Sequence, residues 1–196
     1  GRRILDHRGI ADALLGGWTL SGIIRARCGE TINIISNRGT INRGGSRALT
    51  ITVHLNGLTV QDLQSKTGLY KDSEGRIRLF DSSLIDQTTG RANPNVFENP
   101  GLLEAGTLQM SPATGPWYST FDFGIRKRFG LPLNEVSAVE IRFDLFNAFN
   151  RANFNVTTSQ QSFNYDGSAI FNIHNINSSD FGVVDDTFSA REIQMG

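Results

Sequence analysis

A single cysteine, Cys28, stands in 196 residues. That excludes an internal disulfide framework and any zinc site built on clustered thiolates. Arg25 and Arg27 close by could activate the thiol, but Cys28 reads better as an incidental cysteine. Histidine is scarce too. His7, His54 and His174 are scattered, with no second histidine at the i, i+4 spacing of a two-histidine metal site, and each reads as an ordinary polar histidine. The sequence has no phosphate-binding loop, nucleophile elbow or dinucleotide fingerprint. The residues therefore mark no enzyme, no catalytic or cofactor-binding residue and no metal ligand. Lys plus Arg and Asp plus Glu are both 19, a net charge of zero, and a nucleic-acid binder would normally carry a basic excess. The one dense basic run, Arg126-Lys127-Arg128, reads as the end of a strand. No apolar run approaches the ~20 residues of a membrane-spanning helix. The opening Gly1-Arg2-Arg3-Ile4-Leu5-Asp6 has no start methionine and no apolar signal region, so the chain is expected to be an internal or processed segment of something longer.

What the chain does have is turn and loop chemistry. Hydrophobic residues are 38% and charged residues 19%, both low for a soluble domain. Glycine, with 21 residues, and Asn, Ser and Thr fill the difference. A chain of this kind is expected to bury little core. The best helix candidate, Gly9 to Leu15, is barely two turns before Gly16-Gly17 stops it.

Strand signals lie at both ends. From Trp18 to Arg27, Trp18, Leu20, Gly22, Ile24 and Ala26 share one face, while Thr19, Ser21, Ile23, Arg25 and Arg27 take the other. Thr31 to Ile35 is expected to extend this strand. From Thr120 to Phe129, Phe121, Phe123, Ile125 and Phe129 oppose Asp122, Gly124, Arg126 and Arg128. From Ala138 to Phe149, Val139, Ile141, Phe143 and Leu145 oppose Glu140, Arg142 and Asp144. The last two are expected to pair as a hairpin through Leu131–Asn134, and a final strand begins near Arg191. The fold class is all-β: an antiparallel sheet with long polar loops, read as one segment over 1–196.

Between the strands, residues 36 to 118 show no strong period and are expected to form one long loop. Within it, Asp72-Ser73-Glu74-Gly75 joins Gly68-Leu69-Tyr70 to Ile77-Arg78-Leu79-Phe80 as a small hairpin. Residues 150 to 180 are rich in Asn, Ser and Gln. Asp72-Ser73-Glu74, Asp180 and Asp185-Asp186 carry the hard oxygen ligands that suit Ca²⁺, but without the spacing of a calcium loop they assign no metal.

Two architectures share this alternation. A soluble sandwich would bury the apolar faces as core, and pattern alone favours it. A transmembrane barrel would turn the same faces to lipid and the charged faces to a wet lumen. Strands of about ten residues lean towards the barrel, since that length suits a tilted membrane crossing. Trp18, Trp117 and Tyr118 stand near strand ends, where a barrel places an aromatic girdle.

Four segments, in order, carry a resemblance. They are Leu14-Leu15-Gly16-Gly17-Trp18-Thr19-Leu20-Ser21-Gly22; Gly115-Pro116-Trp117-Tyr118 leading to Phe121-Asp122-Phe123; Ile141 to Asn150 (Ile-Arg-Phe-Asp-Leu-Phe-Asn-Ala-Phe-Asn) with Asn153-Phe154; and Phe181-Gly182 followed by Arg191-Glu192-Ile193-Gln194. Together they resemble the C-terminal barrel of TonB-dependent outer-membrane receptors, in the Oar-like subgroup that carries a carboxypeptidase-regulatory-like domain. Ser65 to Tyr70 and Leu84 to Ala92 are similar to that subgroup's long loop. The resemblance implies an outer-membrane location, residues 36 to 118 outside, and a share in the wall of a barrel of about 22 strands used for nutrient uptake. It also implies a terminal aromatic residue, where this chain has Gly196. The partners it implies are the remaining barrel strands and outer-membrane lipid, not nucleic acid. An alternative keeps the chain at 196 residues. Its open strand edges would then pair with other copies of the same chain, giving a self-assembling extracellular structural or filament subunit.

Overall fold

The computed structural model describes residues 15–38, 51–130, 137–156, 161–163, 169–188 and 190–196. The Gly9 to Leu15 turn, apart from Leu15, and the Leu131–Asn134 connection lie outside them, as does His7. The elements in chain order are β1 (Trp18–Arg27), β2 (Thr31–Ile32), β3 (Ile35–Ser36), β4 (Ile51–Thr52), β5 (His54–Leu55) and α1 (Val60–Ser65). Then come β6 (Thr67–Lys71), β7 (Ile77–Phe80), β8 (Phe97–Glu98), β9 (Ala113–Thr114) and β10 (Tyr118–Gly130). The last are β11 (Ala138–Phe146), β12 (Gln161–Phe163), β13 (Ala169–Phe171) and β14 (Glu192–Met195).

The chain forms two compact units. One, the sheet unit, is Gly1–Ala26, Ser119–Ala152 and Ser189–Gly196; the other, the loop unit, is Arg27–Tyr118 and Asn153–Phe188. The sheet unit has four strands in the order β1-β10-β11-β14. β10 and β11 are antiparallel neighbours, from Phe123 opposite Leu145 to Gly130 opposite Ala138. β14 pairs antiparallel with β11, with Ile193 opposite Leu145 and Met195 opposite Phe143. On the other flank the Gly17 carbonyl accepts from the Arg128 N–H, while Arg25 reaches Asp122. β1 therefore runs antiparallel to β10. β11 ends where Asn147 and Asn150 take positive φ, 46° and 51°, a conformation asparagine tolerates. The Asn147 side chain closes the turn on the backbone of Arg151, donating at 3.0 Å and accepting at 3.1 Å.

The expected continuation of β1 through Ile35 does not form. β1 stops at Arg27, β2 pairs instead with β9 and β3 with β4. Gly29 explains the departure. A side chain there would stand 1.9 Å from the Gly115 carbonyl oxygen, so the two backbones cross only because the residue is glycine.

The loop unit has a core of its own, which corrects the expectation of little burial. Ile32, Val53, Leu63, Leu79, Phe80, Leu84, Ile173 and Phe181 are fully buried. Phe80 and Phe181 stack at 4.8 Å between ring centres, and Phe97 meets Phe181 edge-on at 5.7 Å. Gly182 (φ +75°) lets the chain turn against the Phe80 ring, which a Cβ would approach to 2.8 Å. The small hairpin expected around Asp72 forms as β6 and β7, antiparallel. α1 starts at a capping box, in which Thr59 accepts from the Asp62 N–H and Asp62 accepts from the Thr59 N–H.

Candidate functional site

In the sheet unit, pairing alone sorts the side chains. Phe123, Ile125 and Phe129 stand opposite Leu145, Phe143 and Val139, while Gly124, Arg126 and Arg128 stand opposite Asp144, Arg142 and Glu140. The apolar and charged sets expected from the alternation thus fall on separate faces. β1 joins in phase, since a Cβ on Gly22 would touch the Phe123 ring at 3.4 Å and Ser21 donates to the Gly124 carbonyl on the other side.

The charged face carries ion pairs of its own. Arg126 and Arg142 are directly opposite one another, which would be unfavourable alone. Glu140 lies 4.0 Å from Arg126, and Asp144 pairs with Arg142. Asp122 pairs with Arg25 and accepts the Asn147 N–H at 2.9 Å, tying β1, β10 and the turn after β11 together.

The apolar face stays bare. Trp18, Leu20, Ile24, Phe129, Val139, Ile141, Phe143, Ile193 and Met195 are each between 38% and 75% exposed. One contiguous apolar surface therefore runs across four strands, more than a water-soluble monomer normally leaves open. A sandwich would bury this face as core. Among the described residues no helix is long and apolar enough to cross a membrane, so a crossing would fall to the strands.

The family described as an outer membrane beta barrel domain matches residues 1–194. The chain belongs to that family. Its sheet is antiparallel barrel sheet, and the family points to the bacterial outer membrane. The soluble sandwich that pattern alone favoured is set aside, because its bare face is the one a barrel turns to lipid. Searches of curated proteins and of solved structures gave no match.

The loop unit of this barrel domain contributes a polar cleft of about 210 Å³, lined among others by Glu74, Gln87, Thr88, Thr89, Ser179 and Asp180. Arg78, which is buried, and Asp72 also line it. Asp72 accepts from Arg76 Nε at 2.9 Å, from Arg78 Nε at 3.1 Å, and from the backbone N–H groups of Glu74 and Arg76. Burial raises the Asp72 pKa, but the hydrogen bonds from Arg78 and Arg76 prevail and hold it down at about 2. Arg78 also donates to the carbonyls of Gly90 and Phe181. The Asp72 carboxylate, a calcium candidate by sequence, is thus committed to two guanidinium groups. Asp180 lines the same cleft, whereas Asp186 is bonded to Asn155. Among the described residues no group of three or more His, Cys, Asp or Glu could hold a metal ion. Cys28 is exposed, and His54 lies 3.3 Å from Glu104.

His174 is buried, with its Nε2 3.1 Å from the Val156 carbonyl oxygen. That contact requires the tautomer that donates from Nε2. Burial pushes its pKa down to about 4, against the hydrogen bond, which raises it. The unfolded chain takes up the proton near pH 6.5 and the folded chain only near 4. Stability should therefore be intact above about pH 6.5 and fall by about 3 kcal/mol as the pH drops to about 4. Amide hydrogen exchange of the loop unit at pH 7 and pH 4.5 measures this. His174→Gln keeps a donor to Val156 and should flatten the dependence.

One residue escaped the sequence reading. Lys127 sits in the apolar row between Ile125 and Phe129, opposite Ile141. The two-residue period placed it there, but the basic run Arg126-Lys127-Arg128 hid it.

Proposed function

We propose that the chain is wall and outer loop of a TonB-dependent receptor of the Oar-like subgroup, serving nutrient uptake without chemistry of its own. The observation that carries this reading is the bare apolar face on a sheet whose opposite face is charged and internally paired. Such a face needs lipid, and β1 and β14, at the two edges of the sheet, need further barrel strands as partners. The motifs named above supply the subgroup. Two of them have visible framework roles: Asn147 and Asn150 turn the chain at the end of β11, and Gly182 admits the Phe80 ring.

Connectivity fits as well. β1 and β10 are antiparallel neighbours, as are β11 and β14. The long connections 28–117 and 147–191 therefore leave the sheet at one end, and residues 131–137 join β10 to β11 at the other. Long loops on one side and short turns on the other are the habit of outer-membrane barrels. The long connections would be the outer ones, and residues 36 to 118 would help form the substrate mouth. The hydroxyl, amide and carboxylate lining of the polar cleft beside Asp72 suits a ligand rich in hydrogen-bonding groups. Nucleic acid has no place in this reading, since net charge is zero.

The mass of the native protein in fractionated cells tests the proposal. A species several times heavier than 21.5 kDa in the outer-membrane fraction, cross-linking to TonB, is the expected result. A 21.5 kDa product that assembles outside the cell would contradict it and favour a filament subunit paired edge to edge.

A further inference from the structure

Lys127 is the only charged residue on the apolar face among the described residues of the four sheet strands. Nothing about a lipid-facing row calls for a lysine, and its surroundings are specific. The residue is only 5% exposed. Its ammonium donates to the Gly16 carbonyl and lies 5.1 Å from the Trp18 ring centre and 5.2 Å from that of Phe129. Gly16 precedes β1, and Gly17 is bonded to Arg128. The side chain therefore points towards the end of the sheet where β10 finishes at Gly130.

We infer that Lys127 marks the level at which the lipid-facing surface passes from acyl chains to the phospholipid headgroup layer, at the sheet end joined through residues 131–136. Three physical arguments meet there. A lysine on a barrel's lipid face is costly at the bilayer midplane and nearly free at the interface. A long cationic side chain forced into an apolar row keeps its stem there and carries its charge to the polar boundary, the direction this ammonium takes. Indole and other aromatic rings collect at the headgroup level, and here two of them flank the cation and add their own attraction to it. The partner is the headgroup layer of a phospholipid bilayer, met by the exposed Trp18 and Phe129 rings that cover the ammonium. Ile125, Phe123, Phe143 and Leu145 then meet acyl chains, and Phe129 with Val139 lies among headgroups. This inference rests on the sheet being barrel wall and adds where the membrane begins.

The test uses the complete protein in a cysteine-free background, reconstituted into phosphatidylethanolamine–phosphatidylglycerol vesicles. Nitroxide labels go singly at Val139, Ile141 and Phe143 on β11, and at Ile24 on β1. Collision with oxygen is compared with collision with a water-soluble nickel chelate. The expected result is a crossover at Ile141, the residue paired with Lys127: nickel dominates at 139, and oxygen dominates severalfold at 143 and 24. Nickel dominance at 143, or oxygen dominance at 139, overturns the placement and leaves the wall intact. Nickel dominance at all four sites overturns the wall as well.

Discussion

Truncating Phe181 to alanine should cost the loop unit about 3–5 kcal/mol, the usual loss when a fully buried phenylalanine is removed. The ring is fully buried, stacked on Phe80 and met edge-on by Phe97. Its loss would leave a cavity where the two sequence-distant stretches of the unit meet. The backbone there is also shared: Leu79 donates to the Gly182 carbonyl at 2.6 Å, and Gly182 donates to Ile173 at 2.9 Å. Amide exchange at Leu79 and Gly182 reads the effect directly, and both should speed up by a factor of about 100 or more. A change below about 1 kcal/mol would mean that the two stretches do not share this core.

Asp72→Ala should be nearly as damaging, at about 3–5 kcal/mol, because it strands a buried cation. Arg78 would keep its bonds to Gly90 and Phe181 but lose the one carboxylate paired with it among the described residues. Asp72→Asn should cost less, since an amide oxygen can still accept from the Glu74 and Arg76 N–H groups. The acid behaviour follows from the depressed pKa. Asp72 contributes stability that is fully present above about pH 4, the unfolded carboxyl's value, and is lost as the pH falls to about 2. His174 should therefore fail first on acidification, and the Asp72 cluster only later. Chemical denaturation of Asp72→Ala and His174→Gln, followed between pH 7 and pH 2, separates these contributions.

The sheet was legible in the sequence and the loop unit was not, for a physical reason. β10 and β11 run 13 and 9 residues, long enough for a period of two to repeat and sort Phe from Arg by sight. The loop unit is built from strands of two to five residues and single turns. Each gives the core only one or two side chains, such as Ile32 from β2 or Phe97 from β8, and no period accumulates. Phe181 and Ile173 look isolated among Asn and Ser, yet they fill the same core as Leu79 and Phe80. The Asp72 hairpin was readable because Asp-Ser-Glu-Gly is turn chemistry at short range. Its ion pairs with Arg76 and Arg78 were not, since a carboxylate beside a glutamate looks equally suited to a cation. The end of β1 depended on Gly29 meeting Gly115, a contact between residues far apart in sequence.

The central claim is that one face of the sheet meets lipid and the other does not. Phe143 and Phe146 allow a matched comparison, because they are three residues apart on β11, on opposite faces, and similarly exposed at 38% and 40%. Replacing each in turn with a photoreactive benzoyl-phenylalanine and irradiating intact outer membranes measures which face touches lipid. Phospholipid adducts are expected at position 143 and none at 146. Lipid adducts at 146, or only protein adducts at 143, would contradict that claim.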